Sequence, residues 1–224
     1  MLLGQSISKN SLILGIFSII TTGVIVFTQG YTKPYIEEAK AKALKAALHE
    51  VVPPASFNNA LIEDTLMVNA DALLGTKDQS AVYLARKNDK PVAAIFQATA
   101  PEGYGGSINL LIGINYDGSV SGVRVVPPHA ETPGLGDAID LQKSDWILSF
   151  NGKSLANPKE AGWRVKKDGG IFDAFTGATI TPRAVVDAVH KTLQYFKQHK
   201  LELFIPPVEH GPDRAPNMEQ PHGR

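Results

Sequence analysis

Residues 176–182 read TGATITP: three threonines around a Gly-Ala pair, closed by proline, ahead of the helix-like run RAVVDAVHKTLQYFKQ. Thr181 followed by Pro182 matches a common helix start, with threonine as N-cap and proline at the first helical position. That accounts for one hydroxyl and leaves Thr176, Gly177, Ala178 and Thr179. They stand just before a helix N-terminus, where unpaired amides and the helix dipole favour a phosphate. A threonine hydroxyl in such a place can itself accept a phosphoester, and the Gly-Ala pair leaves room for a bulky donor enzyme. The residues alone leave a turn-and-cap reading and a phosphate-carrying reading both open.

A second segment, PPHAETPGLGD at 127–137, follows a hairpin pattern. His129 and Glu131 are two potential ligands two residues apart, which is not a coordination set, so they read as a solvated loop pair. Thr132-Pro133-Gly134-Leu135-Gly136 joins a stiff proline to glycines that permit close approach or positive φ. Such a loop can lie along a flat ring, or it can simply turn. Gly103-Tyr104-Gly105-Gly106 precedes a strand pattern rather than a helix, so it is no dinucleotide fingerprint and reads as a flexible turn. There is no G-x-x-x-x-G-K-[ST] and no G-x-S-x-G motif. No convincing acid–base pair appears either, so the chain does not read as a catalyst acting alone.

Composition narrows the field. The 224 residues suit one domain plus a tail or anchor. Lys plus Arg and Asp plus Glu balance at 22 each, so no global field recruits nucleic acid. The absence of cysteine excludes disulfides, iron–sulfur ligation and thiol nucleophiles. Of the histidines, His49, His190 and His199 fall in helical patterns and His210 and His222 in the tail.

The elements that must position these residues follow from periodicity. After the N-terminal run, PYIEEAKAKALKAALHEVV is rich in strong helix formers. Its Ile36, Leu44, Leu48 and Val52 suit one buried stripe, and Pro53-Pro54 ends it. SAVYLAR, PVAAIFQAT, SINLLIGINY and SVSGVRVV read as four antiparallel strands, with KNDK and Asp117-Gly118 as turns. Ile108, Leu110, Ile112 and Ile114 alternate on a face that needs cover, and a helix on either side in sequence can supply it. Val186, Val189, Leu193 and Phe196 mark the core stripe of the last helix, with Asp187 and Lys191 as an i,i+4 pair. The expected class is α+β, an antiparallel sheet covered by helices.

Between Lys9 and Lys33 lie 23 uncharged residues centred on SLILGIFSIITTGVIVF, long enough to cross a hydrocarbon core of roughly 30 Å. A cleaved signal peptide is the rival, but the run ends FTQGYTKP without a small-x-small pair. The expectation is an uncleaved single span at 11–29, with residues 1–10 cytoplasmic and a domain at 33–205 outside. Lys9 and the amino terminus precede the span, and mixed charges follow it. In a bacterium that means an inner-membrane protein with a periplasmic domain. The tail from Pro206 holds five of the fifteen prolines and should be disordered.

Taken in order, GYGGSINLLIGI, HAETPGLGD, the W-x-V segment at Trp163–Val165 and DGGIFDAFTGATITPRAVV carry a resemblance. The chain resembles the G subunits of the Rnf (Rsx) ion-translocating electron-transport complex. More distantly it is similar to the C subunits of the sodium-pumping NADH:quinone reductase, which tend to be longer. Both are FMN-binding domain proteins. The resemblance implies FMN joined through its phosphate to Thr179, by a separate flavin transferase using FAD and Mg²⁺. It marks Asp173 as the start of the transferase recognition pattern, with Ala174 where many members have glycine. It also lays Glu131, Thr132, Gly134, Leu135 and Gly136 along the isoalloxazine ring, with Thr176, Gly177 and Ala178 beside the phosphate. The implied role is an electron relay, partnered by the other subunits of a ferredoxin- or NAD-linked complex. An anchored periplasmic binding module without covalent flavin is the alternative of another class.

Overall fold

The long apolar run and the Ala-, Lys- and Glu-rich stretch after it make one helix. In the computed structural model, which describes residues 2–205, α1 runs from Leu2 to Val51, roughly 75 Å at 1.5 Å per residue. The tail from Pro206, expected to be disordered, lies outside the described residues. The helix continues through Pro34, whose missing N–H removes one helical hydrogen bond. Leu12, Phe17, Ile19 and Phe27 are among many large apolar side chains left exposed, and this helix is long and apolar enough to cross a membrane. Pro53-Pro54 follows its last residues and starts a short 3-10 turn, as expected.

Five antiparallel strands form one meander in the order β1 to β5: Thr65–Val68, Ser80–Lys87, Lys90–Gly103, Gly106–Asn115 and Val120–Val126. β2 to β5 are the four expected strands. Asn88 and Asp89, with φ of 52° and 62°, form the β2–β3 turn, as a right-twisted hairpin requires. β1 was not legible, because four residues with one fully buried side chain carry too little alternation.

Alternation divides the sheet into two faces. Leu84, Phe96, Leu110, Ile112 and Ile114 lie in the core with α2, Ile180–Phe204, whose Val186, Val189, Leu193 and Phe196 are all buried. The rings of Tyr195 and Phe196 meet Phe96 edge-on at 5.9 and 6.2 Å. Tyr83, Ala85, Ala93, Ile95 and Leu111 form a second core with Leu48, Val51 and Val52 at the end of α1. So both faces are covered, and the unbroken apolar run of β3 is the reason it reads without alternation. The expected stripe on α1 is shorter than anticipated. Leu48 and Val52 are buried and Leu44 is partly so, but Ile36 lies beyond the sheet and is exposed.

Between β5 and α2 the chain has no strand or α-helix, only 3-10 turns such as Gly136–Ile139 and Asp145–Phe150. It is held by aromatic packing: Phe150 stacks on Phe172 at 4.7 Å, and Trp163 lies 5.3 Å from Phe172. Trp163 and Val165 of the W-x-V segment are both core residues.

The end of α1 rests on a pair of glycines. Gly113 of β4 and Gly122 of β5 are cross-strand partners, and Val51 packs directly over them. A Cβ on Gly122 would come within 2.8 Å of the Val51 carbonyl oxygen, a backbone atom that cannot swing aside. Arg124 fastens the same turn, donating to the Glu50 carboxylate at 2.9 Å and to its carbonyl at 3.2 Å. Gly122→Ala is therefore expected to lower stability by about 1–3 kcal/mol through overpacking. Urea unfolding of the detergent-solubilised chain measures this, and an unchanged midpoint would refute the close approach.

Candidate functional site

The site is assembled around Glu131, which is 5% exposed. Its Oε1 accepts the Gly105 N–H at 3.0 Å, and its Oε2 accepts a hydrogen bond from the hydroxyl of Thr181. One carboxylate thus joins the β3–β4 hairpin, the loop after β5 and the first turn of α2. Glu131 is not the solvated loop residue that the pattern with His129 suggested.

Glycines make this convergence possible. A Cβ on Gly105 would strike the Ala130 carbonyl, and one on Gly136 would lie 2.5 Å from Glu131 Oε2 and 3.0 Å from Thr181 Oγ1. The close approach read from the PGLG stretch is thus real at Gly136, where it makes room for the Glu131 carboxylate. Likewise, the Gly103-to-Gly106 stretch is a packed hairpin end held by a buried acid, not a loose turn.

The threonines are distributed differently from the expectation. α2 begins at Ile180, with Thr179 in the N-cap position and Pro182 third in the helix. Thr181 is not the cap: it is wholly buried and its hydroxyl goes to Glu131. A bond to a charged carboxylate outweighs one to a neutral amide, so the buried acid claims that side chain. Thr179 makes no capping hydrogen bond through its side chain. The amides of Ile180 and Thr181 lie in the first turn, where no intrahelical acceptor exists. Ahead of them, Phe175 to Ala178 form a turn closed by the Ala178 N–H on the Phe175 carbonyl at 3.2 Å, with Gly177 at φ 81°.

Two clamps hold this segment. Arg183 in the first turns of α2 grips both carboxylate oxygens of Asp168, Nε to Oδ2 at 2.6 Å and Nη2 to Oδ1 at 2.7 Å. The guanidinium bonds hold the Asp168 carboxyl below the usual carboxylate range. Trp146 donates its indole N–H to the Asp173 carbonyl at 2.8 Å and packs on Phe175 at 5.1 Å. The Asp173 carboxylate is exposed and paired with Lys166 Nζ at 2.6 Å.

Together these segments border an open cleft of about 380 Å³. Glu131, Thr132, Leu135 and Gly136 contribute to its lining from the loop, and Gly177, Ala178 and Thr179 from the segment before α2. Gly134 and Thr176 are exposed neighbours that do not line it, and Asp173 lies off it on the outer surface. Tyr104, Ile180 and Thr181 also line the cleft, although their pattern in the sequence did not mark them as site residues. The available signal was an aromatic set among three glycines at a hairpin end.

The buried acid makes a clear energetic prediction. Glu131→Ala leaves the Thr181 hydroxyl and Gly105 amide without acceptors, so it is expected to cost about 3 kcal/mol. Glu131→Gln, which keeps the shape and one acceptor, should lose roughly half as much. Thermal unfolding of both variants checks the order, and equal stability would sink the assignment.

Comparison with known proteins agrees with this geometry. The family model for the RnfG N-terminal region matches residues 1–51, which end where α1 does. The FMN-binding domain model matches residues 103–194, a range that starts at the hairpin end and runs through the cleft into α2. The G subunit of the ion-translocating oxidoreductase complex from Pseudoalteromonas atlantica is 49% identical over 200 residues, covering 89% of this chain and 93% of its own. Its namesake from Pseudomonas aeruginosa is 47% identical over 202 residues, covering 90% and 94%. That from Erwinia tasmaniensis is 50% identical over 193 residues, covering 86% and 91%. With this likeness running from the long N-terminal helix through the cleft, the chain belongs to the family of G subunits of ion-translocating oxidoreductase complexes.

Proposed function

We propose that this protein is a membrane-anchored flavoprotein subunit carrying FMN as a phosphoester on Thr179, and that it relays electrons within its complex. The observation that carries the reading is the division of labour between two threonines. Thr181 is committed to Glu131, whereas Thr179 stands at the cleft and at the N-terminus of α2 with no capping bond.

The residues present suit the group. A phosphate on Thr179 meets the first-turn amides and the positive end of the helix dipole. The cleft falls within the size range of small-molecule sites, and its exposed Leu135 and Tyr104 offer apolar surface to a flat ring. Bound there, FMN would supply reversible redox chemistry at moderate potential, for which this chain has no thiol pair of its own. The protein's own part is to hold the attachment residue, wall the ring and fix the site on a rigid sheet.

The anchor is α1, crossing the bacterial inner membrane over residues 11–29 and holding residues 33–205 in the periplasm. The uncharged run and the exposure of its apolar side chains support this. Maturation requires a flavin transferase that cleaves the pyrophosphate of FAD, joining its FMN half to the deprotonated Thr179 hydroxyl and releasing AMP. For it, exposed Asp173 and the turn at Thr176-Gly177-Ala178 are the recognition features. Partners in function are the remaining subunits of the Rnf-type complex.

In a host that has the transferase, wild-type protein is expected to keep flavin fluorescence after denaturing electrophoresis. Thr179→Ala should lose that signal completely, and peptide mapping of residues 171–183 should place the added mass on Thr179. Thr181→Ala should retain the flavin but unfold earlier, by about 1–3 kcal/mol, because Glu131 loses a buried partner. Flavin retained in Thr179→Ala and absent from Thr181→Ala would move the attachment site.

A further inference from the structure

We propose that Tyr104 is the aromatic wall of the flavin cleft, a ring-contacting residue delivered by the β3–β4 hairpin. This rests on the reading that FMN sits at Thr179. The fold itself offers no use for this tyrosine. Tyr104 and Gly105 are the two residues between paired Gly103 and Gly106. Tight two-residue hairpin loops favour small residues such as Gly, Asn and Asp and ask nothing of a large side chain, and here the positive φ falls on Gly106 rather than on Tyr104. A large aromatic there needs another reason.

Packing does not supply one. Tyr104 is 69% exposed, and among the described residues its ring has no aromatic neighbour and its hydroxyl no hydrogen-bond partner in the chain. Other tyrosines of this domain are used: Tyr83 receives a bond from Gln97, Tyr195 stacks on His199, and Tyr116 meets Phe204 and Lys200.

The backbone beneath Tyr104 is nonetheless fixed in place. The Gly105 amide is fixed on Glu131 Oε1, and Gly105 abuts the Ala130 carbonyl too closely for any Cβ. An exposed side chain on a locked turn, lining the same cleft as Leu135 and Thr179, is a pre-positioned wall. Glu131 then places both ends of the site. Through Gly105 it sets the tyrosine, and through Thr181 it sets the helix start next to the attachment residue. A phenol ring over an isoalloxazine in an offset stack is the contact this arrangement suits.

Flavin fluorescence reads the contact directly. A photoexcited isoalloxazine in van der Waals contact with a phenol takes one electron from it and returns the electron, so emission is quenched without net oxidation. The experiment uses the full chain purified in detergent after loading in a transferase-containing host, with flavin content first determined on denatured protein. Tyr104→Leu is expected to raise the emission of folded protein several-fold at equal flavin content, and to change the visible circular dichroism. Tyr104→Phe keeps a ring but lacks the easily oxidised phenol, so it should raise emission while preserving the dichroism. Because Tyr104 is exposed, both variants should melt with the wild type. Unchanged folded-state emission in Tyr104→Leu, with flavin present, overturns this inference and leaves attachment at Thr179 standing. Wild-type protein without flavin overturns both.

Discussion

A buried carboxylate governs this domain's functional end. Removing a charge from water costs several kcal/mol unless it is paired, and Glu131 has no cation among its hydrogen-bond partners. It is compensated by one amide, one hydroxyl and its place against the first turn of α2. That turn contains no acidic residue of its own. Helix N-termini favour negative charge by about 0.3–1 kcal/mol or more where partly buried, and here the loop supplies the acid from fifty residues away. The interaction dictates much else. It is why Gly136 can bear no side chain, why Thr181 is unavailable as a cap, and why hairpin, loop and helix meet at one cleft.

The same helix start then has two anionic clients on the proposed function, the carboxylate and an ester phosphate. They do not compete for the same donors. Glu131 uses the Thr181 side chain and an amide from another element, leaving the first-turn amides of α2 for a group on Thr179. An N-cap threonine bonded to its own helix would have blocked that arrangement. Giving up the cap has a cost of about 1 kcal/mol, which the bidentate Asp168–Arg183 pair at the same helix end helps to offset.

Much of the architecture was legible because its patterns are strong: the four strands β2–β5, the core stripe of α2, and the apolar span and the helix-forming stretch after it, which the structure joins into α1. β1 was missed for its shortness, and the second covered face because the apolar residues of β3 run without alternation. The site divides along a similar line. Glu131, Thr132, Leu135, Gly136 and the Gly177–Thr179 stretch were named from motif resemblance and do converge on one cleft. What no local pattern could reveal was the long-range bond from Glu131 to Thr181. Without it, Thr-Pro reads as a cap and Gly-Tyr-Gly-Gly as a flexible turn. Both misreadings have one cause, a tertiary contact that overrides local propensity.

The shape of the cleft bears on why a tether is suited to it. Tyr104, Ile180 and Leu135 are all exposed where they line it. Small-molecule sites generally bury most of their ligand, and non-covalent affinity depends on that burial. A cleft this open would hold a flat ring less firmly, yet would leave it accessible to a partner's cofactor. On the proposed function, an ester to Thr179 would reconcile these demands, since it would keep the flavin in place without requiring the site to enclose it. The docking of Val51 onto Gly113 and Gly122 completes the logic. The last turn of α1 docks directly on the sheet that carries the cleft, so on the proposed function a tethered cofactor would be held at a defined height above the anchor.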